Sequence, residues 1–451
     1  MRTRTSRLVI AGLAIACFAG PAAAQDANYW TIQYGPVAQL LGGQVVGSTR
    51  DLSATYYNPG GLALAKNPAF LLSVQTVLLQ GVSVDSTGGG PLTPASAWTL
   101  GVAPSLIAGT FPKGWFGEDT RLAWSYLTRQ QFNVLIDSGA VGNLPASGAR
   151  YGAESLFSQS MTEGWGGLTL SHRLSDSWGL GITAYGVYRG QQTRREENAQ
   201  LGGPGGGLTA LAVKDFNYYH WRTLAKVGVA WDPDRSIKLG LTVTTPSLGL
   251  FGGGKSGYTQ SVNGFDGNGN LVNVLSNGLD EDAQAEYRSG ASIAGGAAWR
   301  LGETTLHFSG EWFAPVSRYA VLTSAGSAGA PPVELSQELK GVFNAGAGFE
   351  HKFSSGTAVY GAFATDFNAA KGAPGPGINA SNWNLLHLTA GTAFNVKGSH
   401  LTLGGSYAFG SSTRQLGFEG LPPETPVLGD RPTVGVHYNR LTLVLGFVFG
   451  G

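Results

Sequence analysis

Apolar and polar or small residues alternate with a period of two through most of this chain. Ile237, Leu239, Leu241 and Val243 alternate with Lys238, Gly240, Thr242 and Thr244. Trp178, Leu180, Ile182 and Ala184 alternate with Gly179, Gly181, Thr183 and Tyr185, and the pattern recurs over 305–312 and 401–409. Neighbouring side chains on a strand point to opposite faces, so each segment predicts a strand with one apolar face. Such segments begin near 70, 97, 119, 163, 177, 214, 236, 284, 303, 338, 356, 382, 399 and 433. That makes about fourteen strands, each reaching the ~9–11 residues of a tilted membrane strand. Short turns are expected at 174–177, 232–235, 301–303, 354–356 and 397–399. Long loops are expected near 81–96, 134–162, 194–213, 246–283, 316–337, 368–381 and 411–432. Short turns at one end and long loops at the other predict an all-β, transmembrane antiparallel β-barrel. The last strand, 441–449, alternates cleanly but ends in Gly450-Gly451 rather than an aromatic residue.

Composition sharpens this picture. Glycine supplies 70 of 451 residues and charged residues only 13%, about twice and half their usual shares. No stretch of the chain beyond its first residues offers the ~18 consecutive apolar residues of a membrane helix. Tyr219, Trp221, Trp231, Trp299, Trp312, Phe313 and Tyr319 fall near strand ends, where amphipathic rings favour a membrane interface. The first residues read as an address: Arg2, Arg4 and Arg7, an apolar run over 8–16, then Ala22-Ala23-Ala24 before Gln25. This predicts a signal peptide over 1–24, removed by cleavage. A lipoprotein signal at Cys17 is disfavoured, because Ala14 stands where leucine belongs. Cleavage would remove three arginines and the sole cysteine, taking the formal charge from +1 to −2. Disulfides, thiolate chemistry and nucleic-acid binding are then not expected.

Residues 25–69 do not alternate. They are rich in small residues and precede the first strand, so they lie inside the barrel or beneath it. Within them the run Gly47-Ser48-Thr49-Arg50-Asp51-Leu52-Ser53-Ala54-Thr55-Tyr56-Tyr57-Asn58-Pro59-Gly60-Gly61-Leu62-Ala63 resembles the N-terminal hatch motif of the FadL/TodX family. That family comprises outer-membrane transporters of long-chain fatty acids and hydrocarbons. Its usual core is an acidic residue, Ser-Ala, one or two aromatics and Asn-Pro-Ala-Gly-Leu-Ala. Asp51, Ser53, Tyr57, Asn58, Pro59 and Gly61 match, and Gly60 replaces the alanine. A second Asn-Pro-Ala at 67–69 lacks the aromatic lead-in and is read as a strand-entry turn.

The resemblance implies a barrel of fourteen strands over 70–451, closed by a hatch over 25–69. It implies passive uptake of a hydrophobic small molecule across the bacterial outer membrane, without cofactor. The ligand would pass from a loop groove to a lumenal pocket, then sideways through an opening at a kinked strand. The third strand, 121–132, is where the family would place that kink. Outer-membrane lipid, lipopolysaccharide and the barrel-assembly machinery are the other partners implied, with a monomeric state.

The hatch also has its own physical logic. Fourteen strands enclose more space than side chains fill. Pro59 fixes its φ and holds Asn58 out of the helical region. The Asn58 side chain can satisfy nearby backbone groups, and Gly60-Gly61 permit a tight turn.

Other motifs carry less. Residues 249–256 match the phosphate-loop pattern, but a poor helix former follows, so a glycine-rich external loop is expected instead. Residues 266–270 resemble the start of a calcium loop without its sixth-position glycine or twelfth-position acid. Ser171-His172 are adjacent and therefore face opposite sides of a strand, so no catalysis is expected.

Charges avoid a lipid-facing surface, which places His220, Arg222, Lys226, Glu286, Arg288, His307 and Glu311 inward. Lys340, Asn344, Glu350 and Lys352 follow by the same alternation. Such groups either brace the hatch or hold an anionic head group. A diffusion porin for polar solutes, an adhesive or structural barrel and a lipid-modifying enzyme are the competing readings.

Overall fold

Segments with β-branched and aromatic residues on one face and small residues on the other fit a pleated, half-buried surface. From residue 68 onward every regular element among the described residues is accordingly a strand. The computed structural model describes residues 22–23, 27–66, 68–85, 95–112, 116–143, 149–203, 206–265, 270–325, 333–371, 383–396, 399–415 and 433–450. Six wall strands come first: β1 (Pro68–Val84), β2 (Ala95–Thr110), β3 (Thr120–Asn143), β4 (Arg150–Arg173), β5 (Trp178–Gly203) and β6 (Gly206–Trp231). The next four are each interrupted once. They are β7 (Ile237–Thr244 and Leu248–Phe265), β8 (Leu271–Ala285 and Ser292–Leu301), β9 (Thr304–Phe313 and Val316–Ser324) and β10 (Val333–Leu339 and Val342–Lys352). The wall ends with β11 (Ala358–Asp366), β12 (Leu385–Val396), β13 (Ser399–Gln415) and β14 (Thr433–Gly450).

Each strand pairs antiparallel with the next, and β14 returns to β1 through pairs such as Leu441↔Leu79. The wall is therefore a closed barrel of 14 strands, as the alternation predicts. Ala22 and Ala23 add a two-residue parallel bridge to Leu335 and Ser336.

The outer face is apolar. Ile182, Leu241, Val243, Phe308, Leu388 and Leu443 all point outward, with Ile182 44% exposed. A surface of this kind is stable only against lipid. Rings mark its two edges. At the short-turn end Trp178 of β5 stacks on its cross-strand neighbour Trp231, with centroids 5.0 Å apart. Ten residues further along β5, Tyr188 packs against Trp221 at 5.1 Å. Ten residues at ~3.3 Å each, tilted by ~40°, give a height of ~25 Å, the apolar band of an outer-membrane barrel.

Four of the expected long loops are largely strand, among them 316–337, where Val316–Ser324 of β9 pairs with Val333–Leu339 of β10. Pairing of β3 with β4 persists to Asn143↔Arg150, of β5 with β6 to Gly203↔Gly206, and of β7 with β8 from Phe265↔Leu271. Beyond the lipid band neither face need be apolar, so alternation disappears from the hydropathy while the ladder continues. In β5, Gln191, Thr193 and Glu197 are buried while Gln192 and Arg194 are exposed. The run over 249–256 likewise lies wholly inside Leu248–Phe265, so it is strand rather than loop. Most of the calcium-like run, 266–269, falls outside the described residues. Ser171 is buried and His172 exposed, on opposite faces as expected.

Ile182 sits near the middle of the lipid band, so Ile182→Arg is expected to destabilise the barrel by about 2–4 kcal/mol. Equilibrium folding into lipid bilayers measures this, and an unchanged free energy contradicts the assignment of the outer face.

Candidate functional site

Three short helices stand in the lumen: α1 (Pro36–Leu40), α2 (Ala54–Tyr57) and α3 (Pro59–Ala63). None is long enough to be stable alone, so contact with the wall must hold them. Asn58 joins α2 to α3 in an extended conformation, φ −160° and ψ 95°. Its Oδ1 accepts from Gly60 N at 3.1 Å and caps α3. Its Nδ2 donates to Val46 O within the hatch and to Val229 O on β6, both at 2.9 Å. One side chain thus satisfies a helix end, a hatch turn and the wall. Pro59 takes the first position of α3, where its missing N–H costs nothing.

Gly60 and Gly61 lie inside α3 rather than in a turn. Their use is close approach. A Cβ on Gly60 would fall 2.6 Å from the carbonyls of Gly179 and Gly228. The wall answers with its own glycines. A Cβ on Gly228 would meet Pro59 Cδ at 2.8 Å, and one on Gly296 would meet Gly47 N at 2.7 Å. Gly181↔Gly228 and Gly240↔Gly296 are cross-strand pairs, so bare backbone forms a floor on which the hatch rests.

Polar contacts lock the seat. Thr55 O accepts from Thr183 Oγ1 at 2.8 Å and from the Tyr185 hydroxyl at 2.7 Å, and Tyr57 O accepts from Thr242 Oγ1 at 2.9 Å. Arg50 pairs with Asp232 in the turn after β6. Asp51 Oδ1 accepts from Ser53 N at 2.8 Å. The Tyr57 hydroxyl donates to Gln33 Oε1 and accepts from Tyr34 N, each at 2.9 Å. Burial holds that hydroxyl well above its ordinary range, so it stays protonated as the donor. The first hatch residues are fixed by buried Asp366, whose Oδ1 accepts from Tyr29 N at 2.8 Å and Trp30 N at 2.9 Å.

Above the hatch lies a cavity of about 50 Å³. Tyr56, Trp165, Leu224 and Phe313 supply its apolar lining, and Arg129, Arg222, Lys226, Glu163 and Glu311 its charges. Glu163 on β4 binds Arg189 at 3.0 Å and Arg222 at 2.8 Å. Both guanidiniums also face the ring of Tyr287, at 3.9 and 4.7 Å from its centroid. Lys226 lies 4.1 Å above the ring of hatch residue Tyr56. Trp30 Nε1 donates to Glu311 Oε2 at 2.9 Å, and Ser292 Oγ to Oε1 at 2.6 Å. Four buried cations thus share two carboxylates. Arg222 Nε and Nη1 and Arg129 Nη1 have no hydrogen-bond partner among the described residues. Unmet buried donors are costly, and an arriving anion would satisfy them.

Of the charges assigned inward, His220, Arg222, Lys226, His307 and Glu311 are buried in the lumen, as is Asn344. Glu286 and Arg288 are not. They pair with each other on the exposed side at 2.7 Å, and Tyr287 between them takes the inward place. The phase is inverted because β8 is interrupted between Ala285 and Ser292, which resets the alternation. Lys340 and Lys352 are also exposed, while Glu350 is partly buried beside Lys352.

Arg129, Glu163 and Arg189 were not singled out from the sequence. Arg189 shares the parity of inward Thr183 and Tyr185, so the alternation carried the signal. Arg129 had none, because it is the extra residue of a bulge: Thr128 opposes Gly164, and Gln130 opposes Glu163.

That bulge adjoins a break in the wall. β3 pairs with β2 only from Leu127↔Leu106 to Ala123↔Thr110. Beyond, Thr128 Oγ1 reaches Pro104 O at 2.8 Å, and no further ladder pair joins β2 to β3 among the described residues. Pro104 has no N–H to offer a neighbour, and the bulge turns β3 away. The irregularity falls within 121–132.

Asn58→Ala would leave two carbonyls and a helix end without their donor or acceptor, a loss of about 1–3 kcal/mol per orphaned group. It is expected to expose residues 42–66 to limited proteolysis while the barrel stays folded. Gly228→Val, which forces side-chain atoms into Pro59, is expected to do the same. Protease resistance equal to the wild type in both would contradict the seat described above.

No family model matches the sequence, and no curated protein matches it. Solved structures do. The Pseudomonas putida toluene transporter TodX aligns over 95% of this chain and 100% of its own, with a TM-score of 0.57 at 11% identity. A Pseudomonas aeruginosa FadL homologue gives 0.57 at 11% identity, over 94% of this chain and 100% of its own. The Ralstonia pickettii toluene transporter TbuX gives 0.54 at 12% identity, over 93% and 99%. The chain therefore has the fold of the FadL/TodX-type channels.

Proposed function

We propose that this protein is an outer-membrane channel for passive uptake of hydrophobic small molecules, gated by its hatch. The observation that carries the proposal is the cation-rich, aromatic-walled cavity lying next to the wall break at Arg129. Fold likeness to channels described as toluene transporters and as a FadL homologue supports the same reading.

The route follows from what the lumen offers. Above the cavity two apolar clusters line the barrel, one around Phe132, Met161, Trp383 and Tyr438, the other around Phe216, Tyr218, Val321 and Leu322. An apolar tail would descend between them. At about 50 Å³ the cavity is far smaller than the ~300 Å³ of ordinary ligand pockets. It suits a head group alone, with the tail left among the apolar clusters or directed to the break between β2 and β3. Release there would pass the ligand into the membrane without crossing the hatch.

The unmet donors of Arg222 and Arg129 favour a carboxylate over a neutral hydrocarbon. Lys226 over Tyr56 then gives the cavity a contact with the hatch motif. A ligand that draws Lys226 away would weaken that contact, shifting the hatch between states to the extent of its differential affinity. The short turns at the Trp178–Trp231 end face the periplasm in this reading. The chain acts as a monomer, with residues 25–69 as hatch and 1–24 removed.

Cells lacking the protein are expected to take up labelled long-chain fatty acid more slowly than complemented cells; equal rates sink the proposal. Arg222→Met removes a charge-assisted bond of ~1.5–3 kcal/mol, so acid affinity should fall by about 10–100-fold. Hydrocarbon uptake should change much less. A large steady conductance through the intact protein in planar bilayers would instead favour a porin.

A further inference from the structure

Beneath the hatch, at the short-turn end, lies a second and larger cavity of about 330 Å³, within the ~300–1,000 Å³ range of ligand sites. Its two sides differ in chemistry. The hatch presents Val37, Ala38, Leu41 and Val45. The wall presents polar groups from β7 to β10, with Lys238, His307 and Glu350 innermost and Arg235, Arg300 and Lys352 toward the turns. Among the lining residues five cations, counting Arg50, face three carboxylates, Asp51, Glu303 and Glu350. Arg50 is committed to Asp232 and Lys352 to Glu350. Lys238, Arg235 and Arg300 have no ion-pair partner among the described residues.

The register aims the inner groups at one spot. Lys238, Ala298 and His307 are successive cross-strand neighbours, so a methyl group separates the two polar side chains and leaves room between them. The imidazole is 5% exposed. Its Nδ1 is 2.9 Å from Ser48 Oγ on the hatch. Its Nε2 has no hydrogen-bond partner among the described residues and stands 4.0 Å from the Glu350 carboxylate. With Ser48 donating to Nδ1, Nε2 keeps its proton and faces the cavity as a buried donor without an acceptor. A buried donor beside an unpaired ammonium is a site for an anion, and the apolar surface opposite suits a short tail.

We propose that this periplasm-facing basin is a second binding site, taking a monoanionic amphiphile. The head group lies between Lys238 and His307 Nε2, and the tail lies on Val37, Leu41 and Val45. The site uses residues distinct from the upper cavity, and its existence does not depend on the uptake route. Occupancy places an anion next to the Ser48–His307 contact, so the basin reports on the underside of the hatch as the upper cavity does on its top.

Crystals of the full protein soaked in millimolar 8-bromooctanoate test this through the anomalous signal of bromine. A peak against Val37 and Leu41 is expected in the wild type. It should be lost in Lys238→Met, reduced severalfold in His307→Gln and retained in Arg222→Met. Soaking with 8-bromooctan-1-ol should give severalfold lower occupancy. If Lys238→Met does not fold, Lys238→Gln takes its place. An empty basin in the wild type overturns the proposal whatever the upper cavity holds. So does a peak indifferent to both basin substitutions, or equal occupancy by the alcohol. A filled basin with an empty upper cavity supports the site and counts against the uptake reading.

Discussion

The structure depends on one constraint: a wall of 14 strands cannot fill its own lumen, and what fills it must touch bare backbone. Short helices of four or five residues carry almost no stability of their own. They persist because the wall lets them approach to carbonyl distance. Gly179, Gly181, Gly228, Gly240 and Gly296 make that approach possible. Asn58 then binds the hatch to β6 at the point of closest contact. The glycine-rich composition thus has a mechanical meaning in this part of the barrel. It serves proximity between two layers, since these positions lie in strands and need no unusual backbone angle.

Seating the hatch this deeply divides the lumen into two chambers of different character. The upper one is narrow, aromatic and crowded with arginine. Burying several like charges is unfavourable unless each is paired, and Glu163 can neutralise only part of the set. The cost is offset by ring faces, with Tyr287 meeting two guanidiniums and Tyr56 meeting Lys226. The lower chamber is wider and opens toward the short turns, with its cations only partly matched. Both chambers border the hatch, the upper one at Tyr29 and Tyr56 and the lower one at residues from Val37 to Ser53.

The same strands show why the pairing of β2 with β3 breaks where it does. Arg129 is an added residue in the ladder with β4, and its side chain is spent in the lumen over Trp165. Pro104 on the facing strand removes a donor at the same height. The break and the upper cavity therefore share a residue, and this couples a gap in the wall to the chemistry of the pocket beside it.

Much of this was legible in the sequence. Period-two alternation fixed the strand number and the outward face, because lipid allows only apolar side chains over a ~25 Å band. The run from Asp51 to Gly61 marked the hatch, because capping and proline geometry are local properties. Three things were not local. The extent of β3 to β10 beyond the membrane left no trace in hydropathy, since neither face meets lipid there. The phase of Glu286, Tyr287 and Arg288 was set by an interruption of β8 that alternation alone cannot see. The cluster of Arg129, Glu163, Arg189 and Arg222 joins four neighbouring strands, and only their register brings those positions to the same height. Sequence determined which face each regular strand turns to lipid; tertiary structure decided which inward charges meet, because that depends on bulges and on where the hatch comes to rest.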